Sequence, residues 1–231
     1  MPNPIQALAG GLIVSCQAYP GEPLRHPETM AQMAEAVVAG GAIAIRAQGL
    51  ADISFIKGRT AVPLIGLWKD GRDGVFITPT LRHATAVRDA GADIVALDGT
   101  RRPRPDGLTL AETIRGLRAS APTLVMADCA SLDDALGAHD AGADIIGTTL
   151  AGYTGDRSPT DGPDLELLAQ LVTHLPEIPI VAEGRVHTPA QARAALDAGA
   201  YAVVVGTAIT HPTTITGWFR QALTASNPAT P

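Results

Sequence analysis

The sequence DAGAD occurs at residues 89–93 and again at 140–144, and the related DAGAY follows at 197–201. Each copy comes after a stretch of helical periodicity and before a short apolar run, so each marks the step from a helix to a strand. The glycine suits the end of a helix, where a left-handed backbone is unfavourable for residues that carry a side chain. A fainter copy, AGGA, stands at 39–42. The chain is therefore built from repeated helix–strand units.

The spacing of these copies gives the number of strands. Gly91 and Gly142 are 51 residues apart and Gly142 and Gly199 are 57 apart, and each interval contains one further apolar run. With the first run, GLIVSCQA, there are eight such runs. They begin near Gly11, Ala42, Val62, Ala92, Thr123, Ala143, Pro179 and Tyr201. Continuous apolar runs are typical of strands buried on both faces of a parallel sheet.

Two kinds of fold alternate strands and helices in this way, and the turn after the first strand distinguishes them. An open doubly wound sheet usually carries a glycine-rich turn there, whereas this chain has QAYP at 17–20. Helix starts are indicated by HPE at 26–28, SLDD at 131–134 and TP at 188–189. The sequence therefore predicts an α/β fold, a single-domain (β/α)₈ TIM barrel over residues 1–231 with a short tail from about residue 224.

Composition and charge limit the classes of function. The chain has 231 residues and is 46% hydrophobic, enough for one barrel with a sizeable core. No stretch is apolar enough to cross a bilayer, and the N-terminus lacks the basic residue that a signal peptide needs, so we expect a cytoplasmic protein without a membrane partner. The net charge of −6 argues against a nucleic-acid partner. Cys16 and Cys129 have no CxxC partner, which favours reduced thiols.

The carboxyl ends of the strands are where such barrels place their chemistry. The polar and glycine residues at these positions are Gln17, Arg46, Lys69, Asp98, Asp128, Thr148, Thr149, Glu183, Arg185, Gly206 and Thr207. Charges on a barrel rim often only pair with one another, and this is the alternative explanation for any single residue. Lys69 and Glu183 each follow an uninterrupted apolar run, which favours a functional role for the two together.

The last two strands predict where a phosphate group binds. The loops after strands seven and eight form the usual phosphate site of these barrels, and here they read EGR at 183–185 and GT at 206–207. Glycine lets backbone N–H groups approach an anion. The six histidines include no His-x-His at a strand end, so we expect no metal. A phosphorylated small molecule is therefore the predicted ligand.

Seven segments carry a resemblance to a known family. GGLIVSCQA, AIAIRAQG, PLIGLWK, ALDGTRRPRPDG, ADIIGTTLAGYT, VAEGRVHTPAQA and AVVVGTAITHP run in order from Gly10 to Pro212. They resemble the N-acylglucosamine-6-phosphate 2-epimerases, also called N-acetylmannosamine-6-phosphate 2-epimerases, of bacterial sialic-acid degradation. The resemblance implies an isomerase that interconverts N-acetylmannosamine 6-phosphate and N-acetylglucosamine 6-phosphate, uses no cofactor, and forms a homodimer.

The resemblance also implies roles for individual residues. Lys69 in IGLWK and Glu183 in AEGR match the catalytic pair. The residues that match substrate-binding positions are Gln17, Arg46, Asp128, Tyr153 and Arg185, and those at the phosphate end are Gly184, Gly206 and Thr207. The chain departs from the family at Cys129-Ala130, where Ser-Thr is more usual, and at His211, where arginine is common. The DGRDG segment at 70–74 is also shorter than usual.

Inversion at carbon 2 requires a base that removes a proton next to the open-chain aldehyde. Lys69 can act as this base only in its neutral form, which requires its pKa to fall from about 10.4 toward ~7–8. Burial lowers a lysine pKa and a nearby Glu183 raises it, and the sequence leaves this balance open. The preferred scheme has Lys69 exchange the carbon 2 proton while Glu183 moves protons at sugar oxygens. In the alternative scheme Glu183 is a second acid–base group that acts at carbon 2.

Two other functions use the same residues. Lys69 also suits a Schiff-base lyase of the aldolase type, because a buried lysine readily forms an imine. The barrel also suits a non-catalytic phosphosugar-binding protein, although Lys69 and Glu183 together argue against this. Trapping with borohydride and proton NMR with substrate distinguish the three functions.

Overall fold

A computed structural model describes residues 3–155 and 157–224, so the predicted tail lies outside the described residues beyond Thr224. In this part of the chain eight parallel strands, β1 to β8, pair in sequential order and close into a barrel. The predicted (β/α)₈ barrel is confirmed, and the open sheet is wrong. None of the described helices combines the length and the apolar character that crossing a bilayer requires.

The strands begin one or two residues later than the apolar runs predict. They are β1 Leu12–Cys16, β2 Ala44–Gln48, β3 Leu64–Leu67, β4 Ile94–Asp98, β5 Leu124–Asp128, β6 Ile145–Gly147, β7 Ile180–Ala182 and β8 Ala202–Val205. Each pair of neighbours, including β1 with β8, is parallel. All eight carboxyl ends therefore lie at the same end of the barrel.

Helices follow the strands and cover the outside of the barrel. They are α1 Pro27–Ala39, α2 Leu50–Lys57, α3 Leu81–Asp89, α4 Leu110–Ser120, α5 Leu132–Asp140, α6 Leu165–His174, α7 Pro189–Asp197, the short α8 Thr207–Thr210, and α9 Pro212–Thr224. The predicted starts are confirmed for three of them: His26, Ser131 and Thr188 cap α1, α5 and α7 with their side chains. These caps satisfy N–H groups that a helix end leaves unpaired.

The repeated DAGA sequence ends a helix and fixes the start of the next strand. Its glycine lies one residue beyond the helix C-cap, with φ of 111° at Gly91 and 94° at Gly142. The aspartate that follows accepts a hydrogen bond from an N–H at the start of a neighbouring strand: Asp93 from Leu64, the first residue of β3, at 2.9 Å, and Asp144 from Val125, the second residue of β5, at 2.7 Å. The repeat therefore sets the register of the barrel at its amino-terminal end.

Inward-pointing side chains change character along the barrel axis. Ile13, Ala44 and Met126 belong to an apolar cluster inside the barrel. Because side chains alternate between the two faces of a strand, Arg46 and Asp128 also point inward, two residues further on. The amino-terminal part of the barrel interior is therefore an apolar core, and the carboxyl-terminal part is ionic.

Candidate active site

A cavity of about 400 Å³ opens at the carboxyl ends of the strands. Nearly every predicted site residue lines it: Gln17, Arg46, Lys69, Tyr153, Glu183, Gly184, Arg185, Gly206 and Thr207. Asp128 is the exception, because it is fully buried beneath Arg46. The barrel thus brings together residues that lie up to 190 positions apart in the sequence, as Gln17 and Thr207 do.

Lys69 lies on a short hairpin that leaves the end of β3. It forms an antiparallel bridge with Ile77. On either side of the bridge the Thr78 N–H donates to the Trp68 carbonyl at 2.8 Å, and the Asp70 N–H donates to the Phe76 carbonyl at 3.0 Å. The backbone of Lys69 is therefore held between two pairs of main-chain partners at the cavity wall.

The Lys69 amine is held inside the cavity by polar and aromatic neighbours. Its Nζ donates to Gln17 Oε1 at 2.8 Å, and Gln17 in turn donates to Ser15 Oγ at 2.7 Å. The Nζ also lies 5.1 Å from the ring centre of Tyr19. Burial lowers the pKa of Lys69 to about 8, with Arg46 acting in the same direction and Glu183 opposing it. The effect of burial on the pKa of Lys69 is thus larger than the opposing effect of the Glu183 carboxylate, a balance that the sequence left open.

An ionic cluster lies at the centre of the barrel beneath the cavity. Arg46 Nη2 donates to Asp128 Oδ2 at 2.6 Å, and Arg46 Nε lies 3.3 Å from Glu183 Oε1. That Nε is buried and has no hydrogen-bond partner among the described residues, so its interaction with Glu183 is electrostatic. Asp128, for which a role in holding the sugar is predicted, pairs with Arg46.

Glu183 is fixed by two threonines that follow β6. The Thr148 hydroxyl donates to the Glu183 carbonyl at 2.8 Å and accepts from the Glu183 N–H at 3.0 Å. The Thr149 hydroxyl is 2.6 Å from Asp128 Oδ1 and 3.2 Å from Glu183 Oε2. Burial raises the pKa of Glu183 to about 7, and the Arg46 charge opposes this rise. The carboxyl group can therefore both hold and release a proton near neutral pH.

Lys69 and Glu183 approach the cavity from opposite sides of the barrel. They follow β3 and β7, which lie four strands apart in a closed ring of eight. Asp98, the other charge at a strand end, faces elsewhere: it pairs with Arg102 at 2.7 Å and does not line the cavity. A molecule in the cavity would have an amine on one side and a carboxyl group on the other.

The predicted phosphate end contains Gly184, Gly206 and Thr207. Gly184 has φ of 106°, a conformation that favours glycine, and Gly206 caps the first turn of α8. The Arg185 guanidinium is already occupied: it donates to the carbonyls of Ala151 at 2.9 Å and Gly162 at 3.2 Å. The side chain of Arg185 therefore fixes the loop after β6.

Among the cavity residues to which the sequence assigned no role are Tyr19, Thr149 and His211. Tyr19 and His211 line the mouth with their rings 5.8 Å apart, and Thr149 lies deeper. His211 contacts Glu22 through Nε2 and Thr214 Oγ1 through Nδ1. Tyr19 gave no signal because it lies two residues past the strand end at Gln17. His211 was visible only as a departure from the family.

No group of three or more His, Cys, Asp or Glu residues is arranged to hold a metal ion in the part of the chain that the structure describes. The two cysteines are buried and unpaired: Cys16 ends β1 and Cys129 follows β5. Burial raises the pKa of Cys16 to about 12. Neither thiol lines the cavity.

Comparison with known proteins identifies the family to which this barrel belongs. A family profile described as "Putative N-acetylmannosamine-6-phosphate epimerase" matches residues 30–225. The chain belongs to this epimerase family. The resemblance seen in the seven sequence segments is thereby confirmed, as is the predicted class of enzyme, an isomerase acting on carbohydrates.

Relatives of the epimerase family match nearly the whole chain. A Cutibacterium acnes protein named "Putative N-acetylmannosamine-6-phosphate 2-epimerase" is 68% identical over 220 residues, 95% of this chain and 96% of that protein. A protein of the same name from Caldanaerobacter subterraneus is 49% identical, over 93% of this chain and 92% of its own length. The solved N-acetylmannosamine-6-phosphate 2-epimerase from Clostridium perfringens superimposes with a TM-score of 0.90 at 40% identity, covering 94% of this chain and 95% of that one.

The lowered pKa of Lys69 predicts how stability depends on pH. Between its folded pKa of about 8 and its ordinary value of 10.5 the folded state binds fewer protons than the unfolded state, so wild-type stability rises with pH in this window. Lys69→Met removes the penalty of burying the charge. We expect it to raise the free energy of unfolding by about 1–3 kcal/mol at pH 7, with the gain lost by about pH 10.5.

Urea unfolding at several pH values measures this effect, and the second lysine of the chain supplies the control. Lys57 forms a surface ion pair with Asp93 at 2.7 Å. Lys57→Met should therefore lower stability by less than ~1 kcal/mol. A loss of stability in Lys69→Met at pH 7 would contradict the prediction, because it would mean that the folded protein stabilises the charged amine.

Proposed function

We propose that this chain interconverts N-acetylmannosamine 6-phosphate and N-acetylglucosamine 6-phosphate by removing and returning the proton on carbon 2. One observation carries the proposal: Lys69 and Glu183 face one cavity from opposite sides, with pKa values of about 8 and about 7. Family membership supports the substrate. It also supports a place for the reaction in the degradation of sialic acids and other amino sugars.

The chemistry requires proton transfer on both faces of carbon 2. In the open-chain sugar the aldehyde makes the carbon 2 proton acidic, and its removal gives an enol or enolate. Inversion follows when a proton returns to the other face. General acid–base groups work best when their pKa lies near the operating pH, as these two do. Their positions after β3 and β7 support the variant in which Lys69 serves one face of carbon 2 and Glu183 the other.

The remaining predicted residues have supporting roles in this proposal. Arg46 brings a permanent positive charge to the cavity floor, where it stabilises an enolate or polarises the aldehyde oxygen. Asp128 holds Arg46 in place through the 2.6 Å ion pair. Gln17 orients the Lys69 amine. Tyr153 lies at the mouth with the Arg185 guanidinium 5.1 Å from its ring centre, and we assign it to the sugar.

The phosphate group is assigned to the loops after β7 and β8. Gly184, Gly206 and Thr207 line that part of the cavity. A glycine there leaves the main-chain N–H groups open to an anion, which is how such barrels usually bind phosphate. With the phosphate at this end, the aldehyde end of the extended sugar reaches the ionic cluster at the centre.

The two alternative functions predict different behaviour of the same amine. A Schiff-base lyase also needs a lysine of lowered pKa, but it would be covalently trapped by borohydride in the presence of substrate. A non-catalytic binding barrel would leave the carbon 2 proton in place in deuterated water. Membership of an epimerase family favours proton transfer over both.

Lys69→Ala should abolish epimerisation and also the exchange of the carbon 2 hydrogen with solvent. The reason is that the variant lacks the base proposed for carbon 2, while the apolar residues that form β3 are unchanged. Proton NMR in deuterated water measures both processes, and titration with the sugar phosphate checks that binding persists. Full activity in Lys69→Ala would exclude the mechanism.

Glu183→Gln distinguishes the two roles considered for the carboxyl group. If Glu183 serves the second face of carbon 2, this variant should still exchange the hydrogen of the epimer that Lys69 deprotonates, but not that of the other, and should not invert either. If Glu183 instead moves protons among oxygens, a substrate analogue locked in the open-chain form should recover activity. Deuterium uptake measured separately from each epimer gives the answer.

Gly206→Val should weaken recognition of the phosphate group. A β-carbon at Gly206 would lie 3.3 Å from Ser15 Cβ, so the side chain has little room except toward the cavity. Losing charged hydrogen bonds worth about 1.5–3 kcal/mol should raise KM for the sugar phosphate by about 10- to 100-fold. Any weak activity on unphosphorylated N-acetylmannosamine should be unaffected. An equal loss on both substrates would point to distortion of β1 instead.

A homodimer is the assembly that the resemblance implies, and α9 supports it. Phe219 and Leu223 on this helix are 70% and 86% exposed. Large apolar side chains exposed together often mark a protein interface. Phe219→Asp with Leu223→Asp should therefore convert a dimer into a monomer in sedimentation experiments. A wild-type protein that sediments as a monomer would contradict the proposal.

A further inference from the structure

The hairpin that carries Lys69 has a second face, directed away from the cavity. Side chains alternate between the two sides of extended backbone. Lys69 and its bridge partner Ile77 line the cavity, whereas Trp68 and Asp70 contact α3. The two residues that flank the lysine in sequence are thus attached to a helix outside the site.

His83 on α3 is the residue to which both neighbours of Lys69 attach. Its side chain is only 4% exposed. Its Nε2 lies 3.1 Å from Asp70 Oδ2, and its ring meets the Trp68 ring edge-on with the centres 4.5 Å apart. His83 fills the space between the hairpin and the helix.

The two ring nitrogens of His83 face different partners. Thr80 caps α3 and its hydroxyl lies 2.6 Å from His83 Nδ1, so that the hydroxyl can donate to this nitrogen. In this arrangement Nε2 carries the N–H and donates a hydrogen bond to Asp70 Oδ2. Arg82 is the other charge nearby: its guanidinium lies 5.6 Å from the Trp68 ring centre and 3.4 Å from His83 Nε2. Arg82 therefore lies beside both rings at the point where the hairpin meets α3.

We infer that His83 is a positioning residue for Lys69, holding the hairpin so that the amine stays in the cavity. This inference rests on the proposed function, because it assigns a role through Lys69.

Such a restraint is needed because burying the amine is unfavourable. The lowered pKa of Lys69 shows that the cavity destabilises its charged form. A long flexible side chain would relieve this by moving to solvent with its backbone. The tip of the hairpin does not oppose such movement, since residues 71–74 are exposed and Gly71 and Gly74 have positive φ. The contacts of Trp68 and Asp70 with His83 lie between that tip and the strand.

His83→Leu tests the inference, with Asp70→Ala as a second variant, whose side chain is 59% exposed. Each should lower kcat by about 10- to 100-fold, because a shift of about 1 Å in a catalytic group is enough for such a loss. KM should stay within about twofold, since the sugar-binding residues are untouched. For the epimer that Lys69 deprotonates, the rise of kcat with pH should also move to higher pH, as the amine becomes more hydrated.

Two further variants separate positioning from stability. His83→Gln keeps an N–H donor near Asp70 and should recover most of the lost kcat. The double variant His83→Leu/Asp70→Ala should be no slower than His83→Leu alone, because both changes break the same contact. Asp73→Ala removes an equal charge from the exposed tip of the same hairpin and should leave kcat and its pH dependence unchanged.

The outcomes distinguish this inference from the proposed function. If Lys69→Ala is inactive while His83→Leu and Asp70→Ala keep the wild-type kcat and pH dependence, His83 only contributes to packing and the inference is wrong. A lower unfolding midpoint with unchanged kinetics leads to the same conclusion. If Lys69→Ala itself remains active, the mechanism proposed for Lys69 is wrong, whatever the His83 and Asp70 variants show.

Discussion

The candidate active site depends on a guanidinium buried at the centre of the barrel. Arg46 is 1% exposed, and a charge so placed is tolerated only when it is paired. Asp128 pairs with it at 2.6 Å and is itself held by Thr149. Glu183 is then the second carboxyl group near one positive charge. The cavity floor therefore contains two carboxyl groups and one guanidinium. Asp128 is paired with the guanidinium, and the pKa of Glu183 is raised to about 7.

The same low-polarity surroundings shift the two proposed catalytic groups in opposite directions. Burial disfavours the charged form of any group, so it lowers the pKa of the Lys69 amine and raises that of the Glu183 carboxyl. The barrel supplies this burial through its apolar interior just below the site. The ring of eight strands also determines that the two groups face each other. Fold and chemistry are thus linked by a single constraint, a charged cluster closed in by an apolar barrel.

The sequence was most informative where a residue directly follows an apolar strand. Lys69 and Glu183 were found in this way, and both line the cavity together with Arg46, which lies within β2. It was less informative about what each side chain contacts. Asp128 supports Arg46 from below the cavity, and Arg185 holds the loop after β6, because their partners come from strands and loops distant in sequence. Position at a strand end predicts the neighbourhood of a residue but not the direction of its hydrogen bonds.

The sequence by itself determined the fold and the end of the barrel that carries the chemistry. The DAGA repeat and the eight apolar runs suffice for this, since strand burial and helix termination are local effects of side-chain type and backbone conformation. The tertiary structure alone decided that burial outweighs Glu183 in setting the pKa of Lys69, and that His83 reaches the hairpin beside it. Both results depend on distances between segments far apart in the chain, because electrostatic and desolvation energies are set by the surroundings of a group in space and not by its sequence neighbours.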